Sequence, residues 1–289
     1  MRLTLSHQTH YTYARPVSIS HQLLRLTPRD LPRQQLLSHE IRVSPEPEAT
    51  TTREDSFGNE LTEIFIQDYH KELVINAHAS VEIAPPAEFL FDLSPAWETV
   101  AEALQSPTHD GAFDAAGFCY PSPRIELAGA RAFAETVFTP GKPLLRAALN
   151  LTEKIYTEYD YQGGVTDVHT PVPDVLAAGK GVCQDFAHVA IACLRTFRLP
   201  ARYVSGYLLT NSEPNVTALV GADASHAWYS VWCPEFGWVD FDPTNNLVPN
   251  QKHITLGWGR DYGDVSPTTG FIHGGGKQRL EVAVQVDVS

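Results

Sequence analysis

Over the first 85 residues, side-chain character alternates with a period of two. Leu3, Leu5, His7, Thr9, Tyr11 and Tyr13 follow this rhythm, and so do Leu73, Ile75, Ala77, Ala79, Val81 and Ile83. That is the period of a strand with one face buried. Shorter candidate strands lie at His39–Ser44 and Glu60–Gln67, and Asp55-Ser56-Phe57-Gly58-Asn59 has the composition of a turn. Residues 1–85 are therefore predicted to form an N-terminal antiparallel β domain. They gather no set of nucleophile, base and acid, so the domain reads as a folding or partner module. Ala84-Pro85-Pro86 punctuates its end, and residues 86–125 read as a connector with little periodicity across Ser94–Pro123.

From about Glu126 the period becomes helical. Pro143 suits a first helical turn, and Leu144, Ala148, Leu151 and Ile155 then fall on one stripe. Asp174 is placed to N-cap a short helix ending near Gly179. Gly179-Lys180-Gly181-Val182-Cys183-Gln184-Asp185 leads into a further helix with Phe186, Ala190, Cys193 and Phe197 on its apolar stripe, stopped by Leu199-Pro200. Three β-like runs follow at Ala201–Leu209, Ser225–Trp232 and Gly237–Asp242. The alternation of Leu280, Val282, Val284, Val286 and Val288 predicts a last strand. Residues 126–289 are thus expected to be a core domain with a C-terminal strand, and the fold class is α+β.

Composition narrows the function classes. The chain has 289 residues, 43% hydrophobic and 19% charged, enough to bury a core and too apolar for general disorder. Its net charge of −13 argues against nucleic acid and anionic membrane partners, both of which attract excess positive charge. No uninterrupted apolar run is long enough for a membrane helix, and Met1–His7 lacks the apolar segment of a secretory signal. The four cysteines (Cys119, Cys183, Cys193 and Cys233) are too few and too scattered for a disulfide framework, so free thiols in a cytoplasmic setting are expected. No spacing calls for a metal or a cofactor. A site from His188, Asp185 and His169 can be drawn, but nothing recommends it.

Cys183 carries the most information. It falls at the start of a helix, where unpaired N–H groups and the helix field favour thiolate and could hold an oxyanion. The glycines before it are expected to let a substrate approach the backbone. Cys193 lies on the apolar stripe and reads as a buried structural thiol, as do Cys119 and Cys233. A thiol nucleophile needs a base oriented by a third group. His226 opens an alternating run that a tight connection joins to Gly237–Asp242. With a three-residue loop at 233–235, His226 would lie opposite Asp242 and Trp228 opposite Asp240. Either aspartate could orient the imidazole; Pro243 ends the strand and leaves Asp242 at an accessible end, which favours it. Asp185 is better suited to capping the helix than to catalysis. A lone cysteine at a helix start is more often incidental than catalytic. Together with the histidine and the aspartate, the balance reverses.

Four blocks carry a resemblance: Gly181-Val182-Cys183-Gln184-Asp185-Phe186-Ala187-His188, Leu199–Leu208, His226-Ala227-Trp228 and Phe241-Asp242-Pro243-Thr244. In order and spacing they resemble the bacterial transglutaminase-like superfamily. The N-terminal β segment is similar to the domain that often precedes this core, and so is the tail from Gly259 to Val265. The resemblance implies a papain-like core with the nucleophile at a helix N-terminus packed on an antiparallel sheet. It implies Cys183 as nucleophile, His226 as base and Asp242 as orienting acid. It also implies a second oxyanion donor upstream of the cysteine, with Tyr161 and Gln162 in the expected loop. The expected activity is that of a cysteine protease or amidase acting on a peptide or protein substrate through a thioester. Transamidation of protein glutamine is the alternative. A non-catalytic peptide-binding or scaffold protein is the rival of another class, and it has no need of a thiol at this point.

Overall fold

The computed structural model describes residues 1–86, 90–108, 110–210, 219–221 and 225–289. In chain order the first strands are β1 (Arg2–Leu24), β2 (Gln34–Ser44), β3 (Ala49–Glu54), β4 (Glu60–Ile66) and β5 (His70–Ile83). They form an antiparallel sheet in the order β2-β5-β1-β4-β3. β1 is long enough to serve two sets of partners: Arg2–Thr12 pairs with β5, and Ser20–Leu24 pairs with β4. β3 was not apparent from the pattern because all six of its residues are exposed, so no face is marked by burial.

The helices come next: α1 (Trp97–Ala103), α2 (Asp110–Ala116), α3 (Ala130–Ala134) and α4 (Leu144–Glu158). The first two correct the reading of Ser94–Pro123 as unpatterned. Each spans only seven residues, too short to show a period, yet Val100, Ala101, Leu104, Ala112 and Ala115 are buried in the main core. Residues 87–89 and 109 of the expected connector lie outside the described residues. On α4 the stripe Leu144, Ala148, Leu151 and Ile155 is fully buried.

Two short strands, β6 (Asp160–Tyr161) and β7 (Lys180–Gly181), pair in parallel on either side of α5 (Val172–Ala178). α5 begins three residues earlier than expected: Pro171 is its N-cap, Asp174 sits inside the first turn, and Gly179 closes it at φ +63°. Then follow α6 (Cys183–Thr196), β8 (Ala201–Leu208), β9 (His226–Cys233), β10 (Gly237–Phe241), β11 (His253–Gly259) and α7 (Tyr262–Val265). β8 to β11 form an antiparallel sheet in the order β10-β9-β8-β11. Ala227, Tyr229 and Val231 of β9 pack in one core with Phe186, Ala190 and Cys193 of α6. This is a helix start held against an antiparallel sheet.

The chain ends with β12 (Thr268–Gly274) and β13 (Gln278–Val288), which both pair with β1 rather than with the sheet of the core. The last strand, grouped with the core from its position in sequence, returns to the N-terminal sheet. Only Val284 and Val286 of its alternating set are buried, and they pack with Leu3, Leu5, Tyr207, Leu209, Ile254 and Leu256. That cluster joins the two sheets. Polar clamps reinforce the junction: His7 Nδ1 lies 2.7 Å from the Tyr207 hydroxyl, and the Asn59 side chain bonds the Trp258 backbone at both its N–H and its carbonyl.

Candidate active site

The start of α6 is set by a local capping arrangement. Val182 is extended, and its N–H donates to Asp185 Oδ2 at 2.8 Å. Thr166 donates its hydroxyl to the same oxygen at 2.7 Å. A Cβ on Gly181 would come within 2.6 Å of that carboxylate. Gly181 is therefore bare to admit the Asp185 cap, which corrects its reading as an approach path for substrate. Cys183 is the first residue of α6 and is 8% exposed. Its amide, like the others of the first turn, lacks an intrahelical acceptor.

His226 opens β9, and Asp242 follows the end of β10. Cys233 pairs with Gly237 and Ser230 with Asp240, so the connecting loop is Pro234-Glu235-Phe236, one residue later than expected. The register is shifted by two, and because side chains alternate with period two, an even shift keeps His226 and Asp242 on the same face. Asp242 is reached on the diagonal: His226 Nε2 donates to its Oδ2 at 2.9 Å. Glu235 takes φ +67° in the turn.

Asp242 is fully buried, contrary to the accessible strand end that the sequence suggested. Its position matters for another reason. The turn after it turns backbone N–H groups back onto the carboxylate, with Thr244 N at 2.9 Å and Asn245 N at 3.2 Å from Oδ1. Oδ2 accepts further bonds from Asn245 Nδ2 at 2.8 Å and His253 Nε2 at 3.3 Å. Burial alone would raise the Asp242 pKa, but the adjacent His226 and the donors around it hold it well below the usual carboxylate range. Burial likewise opposes charge on His226, yet the Asp242 carboxylate and the Cys183 thiol together raise its pKa. Its Nδ1 has no other hydrogen-bond partner. The structure thus brings Cys183, His226 and Asp242 into one chain of contacts, with the imidazole between thiol and carboxylate.

His253 is the residue that sequence reasoning missed. It starts β11 with no motif around it, and only the pairing of β11 with β8 carries it to Asp242. Its Nδ1 accepts the Asn250 N–H at 3.4 Å, which fixes Nε2 as the donor to Asp242, and burial lowers its pKa. Trp228 packs beside both histidines, with ring centroids 6.1 Å from His226 and 5.5 Å from His253, which are 6.4 Å from each other. Gly206 makes room for that indole: a Cβ there would sit 2.4 Å from the Trp228 ring and 2.1 Å from the Ile254 carbonyl oxygen. Gly221, at φ +87°, lets the chain pass close to His226. A Cβ on it would stand 2.9 Å from Nδ1 and 3.7 Å from the Tyr161 hydroxyl. Tyr161 therefore borders the site, and Gln162 donates its backbone N–H to Gly181.

The remaining candidates separate cleanly. Cys193 is fully buried and directs its thiol to the Ala130 carbonyl at 3.4 Å. Burial pushes the Cys119 and Cys233 thiols up to about 12. His188 accepts the Tyr262 N–H, and burial lowers its pKa to about 3. His169 contacts Arg124, and Asp185 is engaged as the cap. Among the described residues, no group of three His, Cys, Asp or Glu side chains is arranged to hold a metal ion.

Residues 3–82 match the bacterial transglutaminase-like N-terminal region, and residues 131–243 match the transglutaminase-like superfamily core. An uncharacterized protein of Mycobacterium tuberculosis is 37% identical over 292 residues, spanning 99% of this chain and 92% of its own. A shorter stretch of 73 residues is 36% identical to a protein-glutamine gamma-glutamyltransferase of Pseudomonas aeruginosa, covering 25% of this chain and 11% of that protein. Among solved structures, a protein of Cytophaga hutchinsonii provisionally described as a cysteine protease shares the fold at a TM-score of 0.77 and 22% identity. The match covers 99% of this chain and 90% of that one. The chain belongs to the transglutaminase-like superfamily, with the bacterial N-terminal region ahead of its core.

Proposed function

We propose that the protein is a thiol acyl-transfer enzyme that hydrolyses amide or peptide bonds, with Cys183 as nucleophile, His226 as base and Asp242 as orienting acid. The observation that carries this reading is the imidazole held between the Cys183 thiol and a buried carboxylate that accepts five hydrogen bonds. A purely structural pair has no use for a thiol at a helix N-terminus beside it.

In the first half-reaction, Cys183 Sγ attacks the carbonyl carbon and a C–S bond forms. The oxygen becomes an oxyanion, which the Cys183 N–H and a second donor near Tyr161 stabilise in this reading. Collapse breaks the C–N bond, and the imidazolium of His226 gives its proton to the departing nitrogen. The products are a thioester and an amine or ammonia. Water then attacks the thioester and yields its proton to His226. Breaking of the C–S bond releases the acid, the thiolate and the imidazolium. Throughout, Asp242 fixes the ring and stabilises its charge. The substrate is a peptide or protein, and the free thiols suit a cytoplasmic setting. No helix among the described residues is long and apolar enough to cross a membrane.

Transamidation is the second reading, favoured by the local match to a protein-glutamine gamma-glutamyltransferase. It shares every step up to the thioester. Both readings meet one assay: amide turnover on glutamine-containing peptides with and without a primary amine, alongside pH-resolved iodoacetamide labelling of the four cysteines. Hydrolysis lost in Cys183→Ala is expected, with Cys183 labelled ahead of the others. Amine incorporation outrunning hydrolysis would favour transamidation. If Cys183 labels no faster than Cys119 and no amide is turned over, the proposal fails and the scaffold reading takes its place.

A further inference from the structure

A cavity of about 990 Å³ lies where the N-terminal sheet meets the core, and none of Cys183, His226 or Asp242 lines it. Its apolar walls include Phe57, Phe118, Trp238 and Trp258. Arg202, only 8% exposed, is among its lining residues. The guanidinium carbon of Arg202 lies 3.7 Å from the Trp258 ring centroid and 4.3 Å from that of Trp238. Both rings lie within cation–π range of the guanidinium, and neither offers it a hydrogen-bond acceptor.

Its hydrogen-bonding capacity is unanswered. Among the described residues no acceptor bonds to Arg202, and its Nε is buried without a partner. Asp240, also on the lining, acts on Arg202 only through its charge. A largely buried guanidinium without an acceptor is costly, because buried charges are ordinarily paired and hydrogen-bonded. Arg33, on the same lining, likewise has a buried Nε without a partner, whereas Arg260 is engaged by Asp264.

We infer that this cavity binds a small organic carboxylate carrying an apolar, aromatic-sized body, with Arg202 as the anion partner and the tryptophan walls receiving the body. A planar carboxylate matches the two-pronged edge of a guanidinium. The cavity is of a size that encloses such a ligand. The site is separate from the proposed active site, although His253 belongs to both its wall and the donors of Asp242.

The test is a titration of intrinsic tryptophan fluorescence in full-length Cys183→Ala protein, so that the result does not depend on catalysis. The probe is N-acetyl-L-phenylalanine, compared with its carboxamide, which keeps the body and removes the charge. Saturable binding of the acid is expected, with the amide at least about tenfold weaker, the size of a charge-assisted hydrogen bond. Arg202→Gln should lose the difference between acid and amide. Because Arg202 is packed between rings and its loss could unfold the protein, Gly117→Leu provides an independent variant. A Cβ at Gly117 meets nothing within 4 Å, so a leucine at this lining position is accommodated without a clash and is expected to narrow the cavity and weaken binding with Arg202 intact. A tripeptide ending in the same phenylalanine distinguishes a peptide C-terminus, if tighter, from a free small acid, if weaker. Equal affinity for acid and amide, no saturation up to about 10 mM, or unaltered binding by folded Gly117→Leu protein would each overturn the inference.

Discussion

Replacing Asp242 by asparagine changes one atom of the side chain and reverses one hydrogen-bonding role. Oδ1 can still accept from Thr244 N and Asn245 N. At the other position an NH₂ group would face His226 Nε2 at 2.9 Å, Asn245 Nδ2 at 2.8 Å and His253 Nε2 at 3.3 Å, so a donor would meet three donors. His226 can relieve its share only by moving its proton to Nδ1, the nitrogen left for Cys183. In that tautomer it cannot take the thiol proton, and the imidazolium loses its counter-charge. Losing a buried hydrogen bond to a charged group costs about 1.5–3 kcal/mol. The wrong tautomer in a comparable triad costs roughly 10⁴ in turnover, or about 5.5 kcal/mol at the transition state. The expected result is therefore a folded variant whose kcat/KM for an amide substrate falls by about three to four orders of magnitude. Iodoacetamide labelling of Cys183 below pH 7 should slow in parallel, which reads the pair without any substrate. Turnover within about threefold of wild type, in a variant shown to be folded, would refute the role assigned to Asp242.

Further expectations concern the surrounding structure. The carboxylate of Asp242 is held low and the imidazole of His226 is held high. The first contribution is complete above the unfolded carboxylate value near pH ~4 and fades as pH falls through the folded value. The second is complete below the unfolded histidine value near ~6.5 and fades as pH rises through the folded one. The stability difference between wild type and Asp242→Asn in urea unfolding should thus be largest between those limits and shrink toward pH ~9; a difference that grows with pH would contradict the pairing. Gly206→Ala places a methyl 2.1 Å from the Ile254 carbonyl and 2.4 Å from the Trp228 ring. It should cost about 1–3 kcal/mol or more in denaturant midpoint, and a neutral result would show that the indole can move aside. His253→Gln keeps a donor for Asp242 but changes the ring packed on Trp228. Its kcat should drop far less than in Asp242→Asn, with the pH profile displaced; an equal loss would make His253 as important as the carboxylate.

Much of this protein follows from local chemistry that a sequence displays. The alternation in β1 and β5, the stripe on α4, and the helix begun at Cys183 behind Val182 and Asp185 depend on neighbours a few residues apart. So does the even parity that keeps His226 and Asp242 on one face, which survived a loop displaced by one residue. What lay beyond reach depended on partners far away along the chain. α1 and α2 are too short for a period, and their burial is decided by the core they meet. β3 is exposed along its length and is held by its ladder to β4. β13 could not be assigned to a sheet, because alternation tells which face is apolar but not which strand will be its neighbour; β1 supplied the partner from the other end of the chain. The same holds at the site. Gly181 looked like an opening for substrate and proved to be space for a carboxylate, and His253 had no local signal at all. Periodicity and capping are short-range and written in adjacent residues, whereas strand order, burial of Asp242 and the cavity around Arg202 arise only when distant segments are folded into contact.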